Sequence, residues 1–287
     1  MRKWFLASAF ILLSGCSFSG FGASDTQVSE GTNTKLAYAQ NWTTLEVGKD
    51  QVYQGDLVLV NREKAIRPEA LPDDIIRLGE HPELTEGFAL LDPSLELSKE
   101  VALKFEQMTA AAARDGVKHF RISSGYRNNS EQDKLFEEKG PDYALPAGHS
   151  EHNLGLSLDI GSTAGGIDQS SEGKWLKKNA WKYGFVLRYP KDKSGTTGIQ
   201  YEPWHFRYVG LPHSLIMKEK NFVLEEYLAY LKEKKTIFAK ANGVHYQIEY
   251  VSVSKKTDVP VPAEGRYTIS GDNSGGVIVT VPLKEAA

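Results

Sequence analysis

Seven histidines occur in this 287-residue chain, and two of them stand in segments that read as the halves of one metal site. The first segment is Ser150-Glu151-His152-Asn153-Leu154-Gly155-Leu156-Ser157-Leu158-Asp159, and the second is Glu202-Pro203-Trp204-His205. A hydrolytic zinc ion needs three protein ligands and one open position for water, and imidazole nitrogens plus a carboxylate oxygen supply that shell. His152, Asp159 and His205 are the candidate ligands. Glu202, three residues before the last of them, is left free to take a proton from the attacking water. The chemistry would be that of a metallopeptidase.

The surrounding residues say how these groups must be held. Leu154, Leu156, Leu158 and Ile160 alternate with Gly155, Ser157 and Asp159, the period of a half-buried strand. Asp159 falls on the polar face and His152 has the opposite parity. His152 must therefore sit on a loop before the strand, or the chain must bend, and Gly155 permits a bend. Taken alone, Asp159 could equally be a surface acid on an edge strand. Pro203 fixes its own φ and biases Glu202 toward extended backbone, so Glu202 to His205 should not be helical. A polyproline-like stretch, with three residues per turn, would bring Glu202 and His205 to one side. Separately, Glu202 reads as a solvated acid and His205 as a core histidine; it is the two segments together that argue for one site.

Leu57 to Asn61 reads as a short apolar strand. Val101, Phe105, Met108 and Ala112 recur at helical spacing, which predicts a helix between Asp92-Pro93 and Gly116, with Pro93 at its start. His119 to Ser123 reads as a strand, and Asn128-Asn129-Ser130 offers an N-cap for a helix through Glu138. Lys174 to Tyr183 reads as a helix, Phe185 to Tyr189 as a strand, and Pro212 to Lys220 and Val223 to Lys234 as helices. Beyond Lys235 the period switches to alternation, with hairpin signals at Asn242-Gly243 and at Asp272 to Gly275. Residues 236–287 are expected to form a β-rich appendage separate from a catalytic unit at 51–235.

The N-terminus carries an address. Met1-Arg2-Lys3, an apolar run from Trp4 to Leu13 and Ser14-Gly15 have the layout of a secretory signal over residues 1–15, too short to anchor across a bilayer. Cys16, the only cysteine, follows directly, and Leu13-Ser14-Gly15-Cys16 resembles a bacterial lipobox. The expectation is a protein lipid-anchored at Cys16 on the extracytoplasmic face of the cell membrane, with residues 16–50 as a flexible tether. An ordinary cleaved signal is the alternative. The net charge of −3 gives no basic surface on balance, which excludes nucleic acid as a natural partner.

The order Ser-x-His-x-x-Gly-x-x-x-Asp, then Glu-Pro-Trp-His-Phe-Arg-Tyr-Val-Gly, resembles the zinc D-alanyl-D-alanine carboxypeptidases of the VanY type, related to D-Ala-D-Ala dipeptidases and hedgehog-like domains. Ser123-Ser124-Gly125-Tyr126-Arg127 with Gln132, and Gly184 to Pro190, also resemble blocks of that family, so the likeness runs from about Leu57 to Leu231. Ser157 departs from the pattern, which commonly has alanine there. The resemblance implies an α+β fold, with a small antiparallel sheet, flanking helices and zinc at the sheet edge. It implies Zn²⁺ on His152, Asp159 and His205, Glu202 as base and then acid, and Arg127 as the group that neutralises the oxyanion. Gln132 and Ser150 would bind the substrate backbone or its terminal carboxylate. The implied reaction is removal of the terminal D-alanine from peptidoglycan stem peptides. An L,D-carboxypeptidase acting on the tetrapeptide stem and a non-catalytic wall-binding lipoprotein are the competing readings. His149 suits the rim of the site better than ligation; His81, His119, His213 and His245 read as structural, and Trp204 as a pocket wall. Oligomeric state is not legible.

Overall fold

The computed structural model describes residues 27–30, 41–141 and 143–283; Cys16, the leader and most of the expected tether lie outside them. The strands are β1 (Gln27–Glu30), β2 (Trp42–Gly48), β3 (Ile75–Arg77), β4 (Ala89–Leu90), β5 (Glu96–Ser98), β6 (Phe120–Ser124), β7 (Ser157–Ser162), β8 (Phe185–Leu187), β9 (His205–Tyr208), β10 (Thr236–Ala241), β11 (Val244–Ser252), β12 (Lys256–Pro262), β13 (Thr268–Gly271) and β14 (Gly276–Leu283). The helices are α1 (Lys99–Arg114), α2 (Asn129–Lys139), α3 (Ser171–Asn179), α4 (Ser194–Thr197), α5 (His213–Lys220) and α6 (Leu224–Lys234). None of them is long and apolar enough to cross a membrane. The architecture is α+β.

One sheet positions the candidate residues. Its order is β4-β6-β7-β9-β8, antiparallel except for the short β4–β6 pair. Its apolar face, with Ile122, Leu158, Ile160, Phe185 and Phe206, packs on Val101, Phe105, Met108 and Ala112 of α1 and on Trp175 and Leu176 of α3. Phe105 meets Phe88, Phe120 and Phe185 edge-on at 4.8–6.5 Å, an aromatic geometry that adds to the area it buries. The period of 2 then sends Ser157, Asp159, His205 and Arg207 to the opposite face. α1 begins at Lys99, not near Pro93. Ser98 caps it, its hydroxyl accepting from the Val101 N–H, while residues 96–98 before it pair with β3.

The second five-stranded sheet, β1-β10-β11-β14-β13, is antiparallel throughout. It is not a separate appendage. Ile237, Ala239, Ile248, Tyr250 and Ile278 share a core with Ile216 and Met217 of α5, and with Leu224, Tyr227, Leu228 and Leu231 of α6. Phe238, Val277, Val279, Val281 and Leu283 on its other face pack with Val47, Val259 and Val261 of a two-stranded β2–β12 sheet. Residues 42–50, expected in the tether, therefore belong to the folded body. Leu57 to Val60 is buried, but Leu57 to Asn61 forms no strand. Side chains take its backbone groups instead: the Leu57 N–H donates to Ser270 Oγ, and the Val58 and Leu59 carbonyls accept from Arg207 and Asn273.

Candidate active site

Asp159 on β7 and His205 on β9 stand directly opposite each other in register. Asp159 Oδ1 lies 3.1 Å from His205 Nδ1 and 3.4 Å from His152 Nε2, and one donor atom from each of the three residues falls within 4.8 Å of the others. On the other side of β7 the register with β6 shifts between Ile122 and Ser124, and Ser123 Oγ donates to the Asp159 carbonyl at 3.2 Å. A bulge of this kind re-aims side chains beside a site.

His152 lies off the strand, as its parity requires. It sits on a 3-10 turn, Glu151–Leu154, capped by Ser150, whose hydroxyl accepts from the His152 N–H at 3.3 Å. Gly155 ends the turn in the left-handed region at φ 68°, a conformation with little cost for glycine. His152 Nδ1 donates to the Gly125 carbonyl at 2.5 Å, which leaves Nε2 as its lone-pair nitrogen facing Asp159. Gly125 is required there because a Cβ would lie 2.2 Å from the Glu96 carbonyl oxygen.

The second segment differs from the polyproline-like expectation. Glu202 to His205 is a β-turn closed by the His205 N–H donating to the Glu202 carbonyl at 3.2 Å, with Pro203 at the position a turn favours. The turn achieves what the extended form was invoked for: Glu202 Oε2 comes 3.8 Å from His205 Nδ1.

These groups line one cavity of about 350 Å³, together with Arg127, Gln132, Ser150, Tyr143, Tyr189 and Trp204. Arg127 is anchored through its backbone, its N–H donating to the His152 carbonyl and its carbonyl accepting from Asn153. Its Nη1 donates to Ser124 Oγ at 3.1 Å, and its Nε has no protein partner. Gln132 donates through Nε2 to the Leu145 carbonyl at 2.6 Å and leaves Oε1 unpartnered. That free acceptor suits a substrate N–H, not a carboxylate. His149 stays outside the cluster, with Nδ1 2.8 Å from the Asn61 carbonyl oxygen.

Burial and charge set the ionisation. Burial, reinforced by the Asp159 charge and opposed by His205 and Arg127, pushes the Glu202 carboxyl up to about 7, the range in which a carboxylate exchanges protons at neutral pH. Burial lowers His152 to about 4, with Arg127 adding, so its imidazole is neutral and able to coordinate. Burial would also lower His205, but its hydrogen bonds to Asp159 and Glu151 raise it to about 9. Burial would raise Asp159, but His152 and His205 hold it well below the ordinary carboxylate range.

The sequence reading missed what lies behind His205. Glu151 is fully buried, and its Oε2 accepts from His205 Nε2 at 3.4 Å and from Ser157 Oγ at 3.1 Å. Its Oε1 accepts from Arg188 Nε at 2.7 Å and lies 2.9 Å from Arg207 Nη1. Arg188 continues to Glu225 on α6 through two bonds of 2.9 and 2.7 Å. Burial opposes a charge on Glu151, yet the two guanidiniums hold its carboxyl well below its ordinary value. Ser157 therefore does more than pack: its hydroxyl serves Glu151. The available signal was Arg207 itself, a cation that β9 parity places on the same buried face as His205.

Two imidazoles and a carboxylate with one side open to a pocket are a donor set that fits a zinc-like ion, and a base and a cation share that pocket. The site is that of a metallopeptidase. The sequence profile of VanY D-alanyl-D-alanine carboxypeptidases matches residues 94–211. A D-alanyl-D-alanine carboxypeptidase of Enterococcus faecium is 56% identical over 243 residues, 85% of this chain and 80% of that protein. Among solved structures, the vancomycin-resistance D,D-dipeptidase VanXYg, in complex with a D-Ala-D-Ala phosphinate analogue, superposes with a TM-score of 0.72 at 32% identity, covering 85% of this chain and all of the other. A variant of the vancomycin-resistance D,D-pentapeptidase VanY, in complex with Zn(II), gives 0.50 at 29% identity over 60% of this chain and 98% of its own. The chain belongs to the VanY D-alanyl-D-alanine carboxypeptidase family, and it is a carboxypeptidase.

Proposed function

We propose that this enzyme removes the C-terminal D-alanine from peptidoglycan stem peptides, a D,D-carboxypeptidase reaction, with zinc held by His152, Asp159 and His205. The observation that carries the reading is that these three ligands, Glu202 and Arg127 converge on a single cavity. Zinc bound there would polarise the scissile carbonyl and acidify water. Glu202 takes a proton from the water as its oxygen bonds to the carbonyl carbon, and gives it to the departing D-alanine nitrogen as the C–N bond breaks. Arg127 offsets the negative charge that develops on the carbonyl oxygen. Gln132 Oε1 and the Ser150 hydroxyl proton are placed to take the substrate's backbone.

Zinc-loaded protein incubated with pentapeptide and tetrapeptide stems, followed by mass spectrometry, tests this. Loss of one alanine from the pentapeptide is expected. Cleavage of the tetrapeptide alone would replace it with the L,D reading, and no cleavage of either would favour the non-catalytic wall-binding one.

The reading extends to place: Cys16 carries a lipid and holds the enzyme at the outer face of the membrane. The lipobox-like Leu13 to Cys16 supports this. Detergent-phase partition that disappears in Cys16→Ser is the expected result, and a water-soluble parent protein would exclude it.

A further inference from the structure

We infer that Glu151 is a positioning residue for the metal: it holds the His205 ring with the proton on Nε2, so that Nδ1 is the nitrogen presented to the ion. The inference rests on His152, Asp159 and His205 being the ligands. Nδ1 of His205 faces Asp159 at 3.1 Å while Nε2 faces Glu151 Oε2 at 3.4 Å, so the carboxylate meets the ring on its far side. Glu151 is also absent from the three-residue cluster that could hold an ion. A carboxylate that accepts the outer N–H of a ligating histidine fixes its tautomer and raises its basicity. Without that acceptor the ring could turn or carry its proton on Nδ1, and the lone pair would be lost to the ion.

The carboxylate itself cannot drift. Arg188 grips Oε1 and is in turn gripped by Glu225, Ser157 donates to Oε2, and Arg207 lies against Oε1 while its Nη2 donates to the Asp56 and Val58 carbonyls at 2.8 and 3.0 Å. The His205 ring thus rests on a fixed acceptor tied to α6. Ser157 gives this chain an extra donor on the oxygen that faces His205.

The test is zinc affinity, read by competition with a chromophoric chelator, together with the ring ¹⁵N shifts of the zinc-loaded parent. Glu151→Gln should lower affinity about 10–100-fold, and Glu151→Asp should recover part of the loss. Ile278→Ala, a destabilising control in the second sheet, should leave affinity unchanged. In the parent, His205 should carry its proton on Nε2 and His152 on Nδ1. Unchanged affinity in Glu151→Gln, or a His205 proton on Nδ1, overturns the inference. If Glu151→Gln does not fold, the ring shifts of the parent decide alone. A parent that binds no zinc sinks the ligand assignment and this inference with it; unchanged affinity in the variant sinks the inference only.

Discussion

Both five-stranded sheets pack one face on helices, and they differ in what the other face buries. The C-terminal sheet sets valines, leucine and phenylalanine against β2 and β12. The catalytic sheet instead turns Asp159, His205 and Arg207 toward Glu151, Arg188 and the cavity. Apolar burial contributes stability without specifying any orientation. Buried ion pairs do the reverse, because their desolvation offsets much of their attraction while their geometry admits few alternatives. Both halves have an apolar core; the catalytic half adds a charged face that holds six or so side chains still.

That contrast can be broken at several points. Glu202→Gln should reduce kcat about 10³-fold while zinc stoichiometry and unfolding temperature stay near those of the parent; comparable turnover would remove Glu202 from the mechanism. Arg207→Met removes one of the two guanidiniums on Glu151 and the donor to the Asp56 and Val58 carbonyls, and should cost about 3–5 kcal/mol in urea unfolding. A loss below about 1 kcal/mol would show that the charged face needs no such partner. Ile278→Ala, in the apolar core beneath α5 and α6, should cost about 3 kcal/mol, with kcat per folded molecule unaltered. A changed kcat would mean that the two halves are not independent.

The smallest effect is a matter of pH. His213 sits 2.8 Å from the Tyr227 hydroxyl and 3.1 Å from Thr280 Oγ1, and burial lowers it from 6.5 to about 3. The unfolded chain accepts a proton that the folded protein refuses, so its contribution is complete above pH 6.5 and declines as pH falls below that. By pH 5 the loss should be about 2 kcal/mol relative to pH 8, and His213→Gln should flatten that part of the profile. An identical slope in the variant would place the titration elsewhere.

Much of the site was legible because period and punctuation are local. The alternation through Leu158 and Ile160 put Asp159 on the polar face, and parity alone demanded that His152 leave the strand. Pro203 marked a non-helical segment, although its turn type depended on a hydrogen bond that composition does not display. Glu151 was not legible: an acid between a serine and a histidine reads as solvated until two arginines distant in sequence are known to reach it. Leu57 to Val60 reads as a strand because it is buried, but no neighbouring strand pairs with it, and side chains take the Leu57 N–H and the Val58 and Leu59 carbonyls. The segment that becomes β2 reads as tether because the polar stretch before it runs on into it, and Pro260 and Pro262 disguise its partner β12. The C-terminal sheet was correct in its hairpins and wrong in its independence. The nearly unbroken apolar run from Val277 to Leu283 signals a strand covered on both faces.

The pairing of Asp159 with His205 bears on how the chain reaches its native arrangement. The two strands are joined by a long excursion, and nothing in the hydrogen bonds of a ladder distinguishes one alignment from its neighbour. A slip of one residue between β7 and β9 would set Asp159 opposite Phe206 and exchange the faces of every later side chain. Leu158, Ile160 and Phe206 would leave the core in such a slip, so the apolar face that stabilises the sheet also sets Asp159 opposite His205.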